Sequence, residues 1–127
     1  MKKDFFCLTG VLISSFFIAF LNYIALKFNL FWIFSWFDIP LHFLGGVFVS
    51  FLTSYVIFLK LENVSYLKFL IINIATVLVF GFFWEVFELK IGSTSFEDLI
   101  YFSDTGMDFI ADMLGSIITS VLIYFKK

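Results

Sequence analysis

Arginine is missing altogether, and cysteine, proline and histidine occur once each. Without arginine there is no planar guanidinium to clamp a phosphate in two parallel hydrogen bonds. Eight lysines stand against ten acids, a net charge of −2, which supports neither a nucleic-acid surface nor a strong preference for anionic substrates. Cys7 has no partner for an internal disulfide, and its place in an apolar run suits a small buried or lipid-facing residue. Charge is scarce as well: 14% of residues are charged, against roughly 25% in ordinary soluble domains, while 62% are apolar. Water is therefore not the solvent for most of this surface, and the 127 residues are expected to form one membrane domain.

A helix needs ~20 mostly apolar residues to cross ~30 Å of hydrocarbon. Four runs meet that length, at about 5–27, 40–59, 67–89 and 105–125, and they predict an all-α, integral membrane four-helix bundle over residues 1–127. None alternates polar and apolar residues as a barrel strand would. The first run exceeds the ~7–15 residue apolar stretch of a secretory signal and has no clear small-x-small cleavage site, so it is expected to be retained. Pro40, the only proline, fits the start of the second span, where its missing N–H costs least and Asp38 can cap the helix. The aromatic stretch Phe31 to Phe37 precedes it at the interface. The linker 61–65 is short and makes spans two and three antiparallel, whereas 91–103 is longer and carries Ser93, Thr94 and Ser95.

Lys2, Lys3, Lys60, Lys68, Lys126 and Lys127 fall on one side of this arrangement, and Lys27 and Lys90 on the other. The positive-inside rule then places both termini in the cytoplasm of a multi-pass cell-membrane protein. Trp32, Trp36 and Trp84 fit an interfacial aromatic belt. Asn22, Tyr23, Asn73 and Thr76 are expected to make interhelical hydrogen bonds or polar packing contacts, and Glu97 and Asp98 to be solvated loop charges.

The remaining polar residues converge. Asp38 and His42 are four apart at the start of the second span, Glu85 and Glu88 three apart at the end of the third, and Asp104, Asp108 and Asp112 recur every four along the fourth. Each set shares a helix face, and the topology brings all three to the same, extracytoplasmic end. Gly45, Gly46, Gly81 and Gly115 lie one turn deeper, where small residues let helices approach closely. Two carboxylates ~5 Å apart repel by about 3 kcal/mol at an effective dielectric of 20, so either a cation binds or some acids hold protons. Oxygen donors with one imidazole suit a divalent metal ion, with Asp38, His42, Glu85, Glu88, Asp104, Asp108 and Asp112 as candidate ligands. Paired Glu-x-x-His motifs, His-Glu-x-x-His and a serine-nucleophile signature are all missing. Asp38 and Asp104 also have a plainer explanation as helix caps, and Glu88 as an interfacial charge beside Lys90.

The helix-end motifs Asp38-x-Pro-x-His42-x-x-Gly45-Gly46, Trp84-Glu85-x-x-Glu88 and Asp104-Thr105-x-x-Asp108-x-x-x-Asp112-x-x-Gly115 resemble the YjdF-like family of small membrane proteins. They are more distantly similar to VanZ-like proteins, in which a glutamine and an asparagine stand where this chain has Glu88 and Asp112. That resemblance implies a cell-envelope role. Three classes of function follow. The first is an enzyme performing divalent-metal-dependent hydrolysis or transfer on a lipid-linked substrate, with Glu85, Asp108 or His42 as catalytic candidates. The second is a proton or cation carrier, and the third a non-catalytic partner subunit of another membrane protein.

Overall fold

The structure is a computed structural model that describes residues 3–61, 63–92, 95, 97 and 100–126. Lys2, Glu62, Ser93, Thr94, Asp98 and Lys127, which figured in the reading of linkers and orientation, lie outside the described residues. Five helices follow one another: α1 Lys3–Lys27, α2 Leu30–Ile33, α3 Asp38–Lys60, α4 Tyr66–Ile91 and α5 Tyr101–Phe125. All but α2 have 23 to 26 residues, so at 1.5 Å each they run about 35–39 Å. These four are long and apolar enough to cross a membrane. The chain is thus an all-α membrane bundle, with no strand among the described residues.

The boundaries differ from the sequence expectation in three places. The interfacial stretch contains a single helical turn, α2, entered through Asn29 in the left-handed conformation (φ 54°). Helix α3 starts at Asp38, so Pro40 is its third residue, still among the positions whose N–H has no helical acceptor. Helix α5 starts a turn earlier than expected, with the Asp104 N–H donating to Ile100 O at 2.9 Å and Tyr101 buried. The caps of α3 and α5 are Phe37 and Ile100, and neither makes a side-chain cap bond. Asp38 and Asp104 are consequently first-turn residues rather than caps. At the end of α4, Gly92 takes the left-handed conformation (φ 73°) that glycine adopts without penalty, and its N–H closes on Glu88 O.

Helix α3 is the hub, packed against α1, α4 and α5, while α5 also packs on α4. Large apolar side chains such as Leu12, Phe16, Phe83 and Leu122 face outward, and the interior holds Ser50, Ser54, Asn73, Ser116, Thr119 and Ser120, each at most 2% exposed. This distribution suits lipid, where apolar burial does not drive association and small polar residues knit helices together. Ser50 Oγ donates to Ser116 Oγ at 2.8 Å between α3 and α5, and Ser54 Oγ donates to Asn73 Oδ1 at 3.3 Å between α3 and α4. Thr76 instead donates to Ile72 O in its own helix, and Asn22 and Tyr23 are exposed.

Two glycines set the α3–α5 distance. A Cβ on Gly46 would strike the Asp112 carbonyl oxygen, and a Cβ on Gly115 would strike that of Phe43. The two helices therefore cross backbone to backbone, each glycine seated on a carbonyl of the other helix. At the end holding both termini, the bundle closes over Cys7, Ile57, Phe69 and Ile123. There the Lys3 ammonium donates to Tyr124 O at 2.8 Å, and Tyr124 Oη donates to Val64 O at 3.2 Å.

Candidate metal centre

All seven polar residues singled out in the sequence lie at the end of the bundle away from the termini. Helical spacing puts Asp38 and His42 on one face of α3, Glu85 and Glu88 on one face of α4, and Asp104, Asp108 and Asp112 on one face of α5. The close α3–α5 crossing at Gly46 and Gly115 then carries these faces together. His42, Glu85, Asp108 and Asp112 are buried, none more than 8% exposed.

Three side chains offer donor atoms within 4.8 Å of one another: His42 from α3, Glu85 from α4 and Asp108 from α5. A second group, Asp38, Asp104 and Asp108, meets the same limit nearer the rim. Asp108 belongs to both. His42 Nε2 lies 3.8 Å from Asp108 Oδ2, and His42 Nδ1 lies 3.4 Å from Asp112 Oδ2. The imidazole is thus held on its Nδ1 side by Asp112 and turns Nε2 toward the cluster. A carboxylate so placed can orient the imidazole ring and favour the tautomer with its proton on Nδ1.

Asp112 occupies a niche of glycines. A Cβ on Gly81 would lie 2.7 Å from Asp112 Oδ2, and one on Gly45 would lie 3.8 Å from Asp112 Oδ1. The glycines therefore do more than let backbones approach, because Gly81 makes room for this carboxylate. Thr105, which stood in the helix-end motif without an assigned role, donates its Oγ1 to Glu85 Oε2 at 3.0 Å. Beyond that motif, its signal was its place three residues before Asp108, on the same face of α5. Glu88 is partly buried and accepts a hydrogen bond from the Trp84 side chain.

Electrostatically the cluster is one-sided. Lys27 lies over the rings of Tyr23 and Phe28, and Lys90 is exposed, so neither enters it. Among the described residues, Asp38 Oδ1, Glu85 Oε1 and Asp108 Oδ1 are buried without a hydrogen-bond partner, and the only other such side-chain atom is Ser120 Oγ. Each unsatisfied buried polar group costs about 1–3 kcal/mol, and more when charged. Three of them in one cluster leave lone pairs free to take a ligand or protons. Nitrogen and carboxylate donors converging with unused lone pairs suit a divalent cation.

A cavity of about 450 Å³ adjoins the cluster. Ile18 and Ala19 of α1, Phe48 and Val49 of α3, and Val77 and Phe80 of α4 supply apolar walls, and Asp38, His42, Glu88 and Asp112 form its polar end. Residues of α1, α3 and α4 form most of its lining.

These features define a polytopic helical membrane protein with an acidic, histidine-containing centre at one end of its bundle. The chain belongs to the family described as "Predicted membrane protein (DUF2238)", which matches residues 5–127 and is the YjdF-like family to which the helix-end motifs pointed. Neither a curated protein nor a solved structure matches it.

Proposed function

We propose that this protein binds a divalent cation through His42, Glu85 and Asp108 and uses it to hydrolyse or transfer the head group of a lipid-linked envelope substrate. The observation that carries the proposal is the meeting of these three donors within 4.8 Å, with Glu85 Oε1 and Asp108 Oδ1 buried and unpartnered. A cation there would offset the repulsion among the acids and supply Lewis acidity toward an ester or phosphoester oxygen. Asp112 would aim His42, and Thr105 would hold one Glu85 oxygen so that the other faces the cation. Glu88, at the polar end of the cavity, would take a proton from an attacking water or hydroxyl.

The lipid character of the substrate is supported by the cavity, whose apolar walls lead to a polar end within a bundle whose outward surface is apolar. Its volume falls in the usual range for small-molecule sites, about 300–1,000 Å³. Lysine distribution supports an extracytoplasmic site in the cell membrane with cytoplasmic termini. The VanZ-like resemblance supports an envelope process.

Elemental mass spectrometry of the detergent-purified protein, beside a Glu85→Gln/Asp108→Asn variant, tests the cation. Near-stoichiometric metal in the native protein and its loss in the variant is the expected result. No metal in the native protein, after divalent ions have been offered back, would overturn the metal-dependent mechanism. A proton or cation carrier would then gain ground, favoured by the buried polar seam that continues from Asp112 through Ser50 and Ser116 to Ser54 and Asn73.

A further inference from the structure

One cation at His42, Glu85 and Asp108 leaves part of the cluster unexplained. Asp38 Oδ1 stays buried without a partner, and Asp38, Asp104 and Asp108 still crowd donor atoms within 4.8 Å. At that distance each pair of ionised carboxylates repels by about 3 kcal/mol at an effective dielectric of 20. Thr105, which serves Glu85, and Asp112, which serves His42, do nothing for this second group. Asp108 is 96% buried with one oxygen unpartnered, and it is the residue common to both groups.

We propose that the site holds two divalent cations bridged by the Asp108 carboxylate, an inner one on His42 and Glu85 and an outer one on Asp38 and Asp104. This rests on the metal-dependent reading above and extends it. A carboxylate has two oxygens, and two-metal centres with ions about 3.5–4 Å apart are built on such shared ligands. The two positions differ in chemistry. The inner has an imidazole and lies among buried residues, which suits a borderline ion such as Zn²⁺ or Mn²⁺; the outer offers oxygen alone and is partly open, which suits a harder ion that keeps water, such as Mg²⁺ or Mn²⁺. Mn²⁺ fits both. Held by these residues, such a pair would supply charge stabilisation for both the attacking and the leaving oxygen of a displacement.

The test loads the full-length, detergent-purified protein with Mn²⁺, counts bound ions by equilibrium dialysis and records electron paramagnetic resonance. Two ions per chain with an exchange-coupled spectrum are expected. Asp104→Asn should reduce the count to one and replace the coupled spectrum by that of an isolated ion. Asp38→Asn gives the same result independently should the first variant fold poorly. One ion per chain in the native protein at saturation would overturn the pair while leaving the single inner site standing, and no bound ion would overturn both. Two coupled ions surviving in both single variants would remove Asp38 and Asp104 as ligands and overturn the assignment.

Discussion

Asp112 lies in the fourth turn of α5, and an intramembrane carboxylate costs roughly 2.5–3.5 kcal/mol at mid-bilayer on insertion scales. The surroundings of this one are specific: a glycine niche for its oxygens and the Nδ1 face of His42. Its role therefore differs from that of Glu85, which has a free oxygen in the cluster. Replacement of an outer-sphere partner typically lowers metal affinity 10–100-fold, so Asp112→Asn should weaken the cation by that factor, whereas Glu85→Gln should abolish tight binding. Competition titration against a metal indicator distinguishes them, and equal losses in the two variants would place Asp112 among the direct ligands. The four-residue spacing of Asp104, Asp108 and Asp112 was readable as a shared face. Which of the three reaches the rim, the cluster or the imidazole was not, because that depends on how α5 is rotated and sunk against α3. Thr105 was hidden for the same reason, since a hydroxyl between two acids has no meaning until the opposite helix is in place.

Helix contacts sort the glycines into kinds that the sequence could not separate. On Gly46 and Gly115 a methyl group would meet main-chain carbonyls, which cannot move unless α3 and α5 part. Overpacking of this sort costs typically 1–3 kcal/mol, and Gly46→Ala or Gly115→Ala should lower the thermal unfolding midpoint in detergent and weaken the cation together. On Gly81 the methyl would meet the Asp112 carboxylate and the Phe109 ring, both side chains. Gly81→Ala should then weaken cation binding with a much smaller change in midpoint. Gly106 has nothing within 4 Å of its would-be Cβ, so Gly106→Ala should be neutral or stabilise by up to about 1 kcal/mol through helix propensity. A Gly46 variant as stable as the Gly106 one would contradict the crossing described here. The four spans were legible because runs of apolar residues near 20 long leave few alternatives in lipid. Their ends were less so: 91–103 read as linker, yet α5 extends back to Tyr101, whose side chain is buried.

Across the whole molecule the two ends of the bundle are built differently. The end with the termini is sealed by Cys7, Ile57, Phe69 and Ile123 and by the ties from Lys3 and Tyr124, while the other end carries acids and a cavity between α1 and α4. A lipid-linked substrate from the envelope reaches that cavity only if the acidic end faces outward. Lysine placement argues for that orientation, and it can be measured directly. In a Cys7→Ser background, with the buried native thiol removed, single cysteines at the exposed positions Glu97 and Asn63 report the two sides. A membrane-impermeant maleimide applied to intact cells should label Glu97→Cys, and should label Asn63→Cys only after the membrane is permeabilised. The reverse pattern would put the acidic cluster on the cytoplasmic face. The cation could still bind there, since the cluster is made by helix packing and not by orientation, but an outer-leaflet substrate would be excluded and the chemistry would have to be sought among cytoplasmic-leaflet lipids.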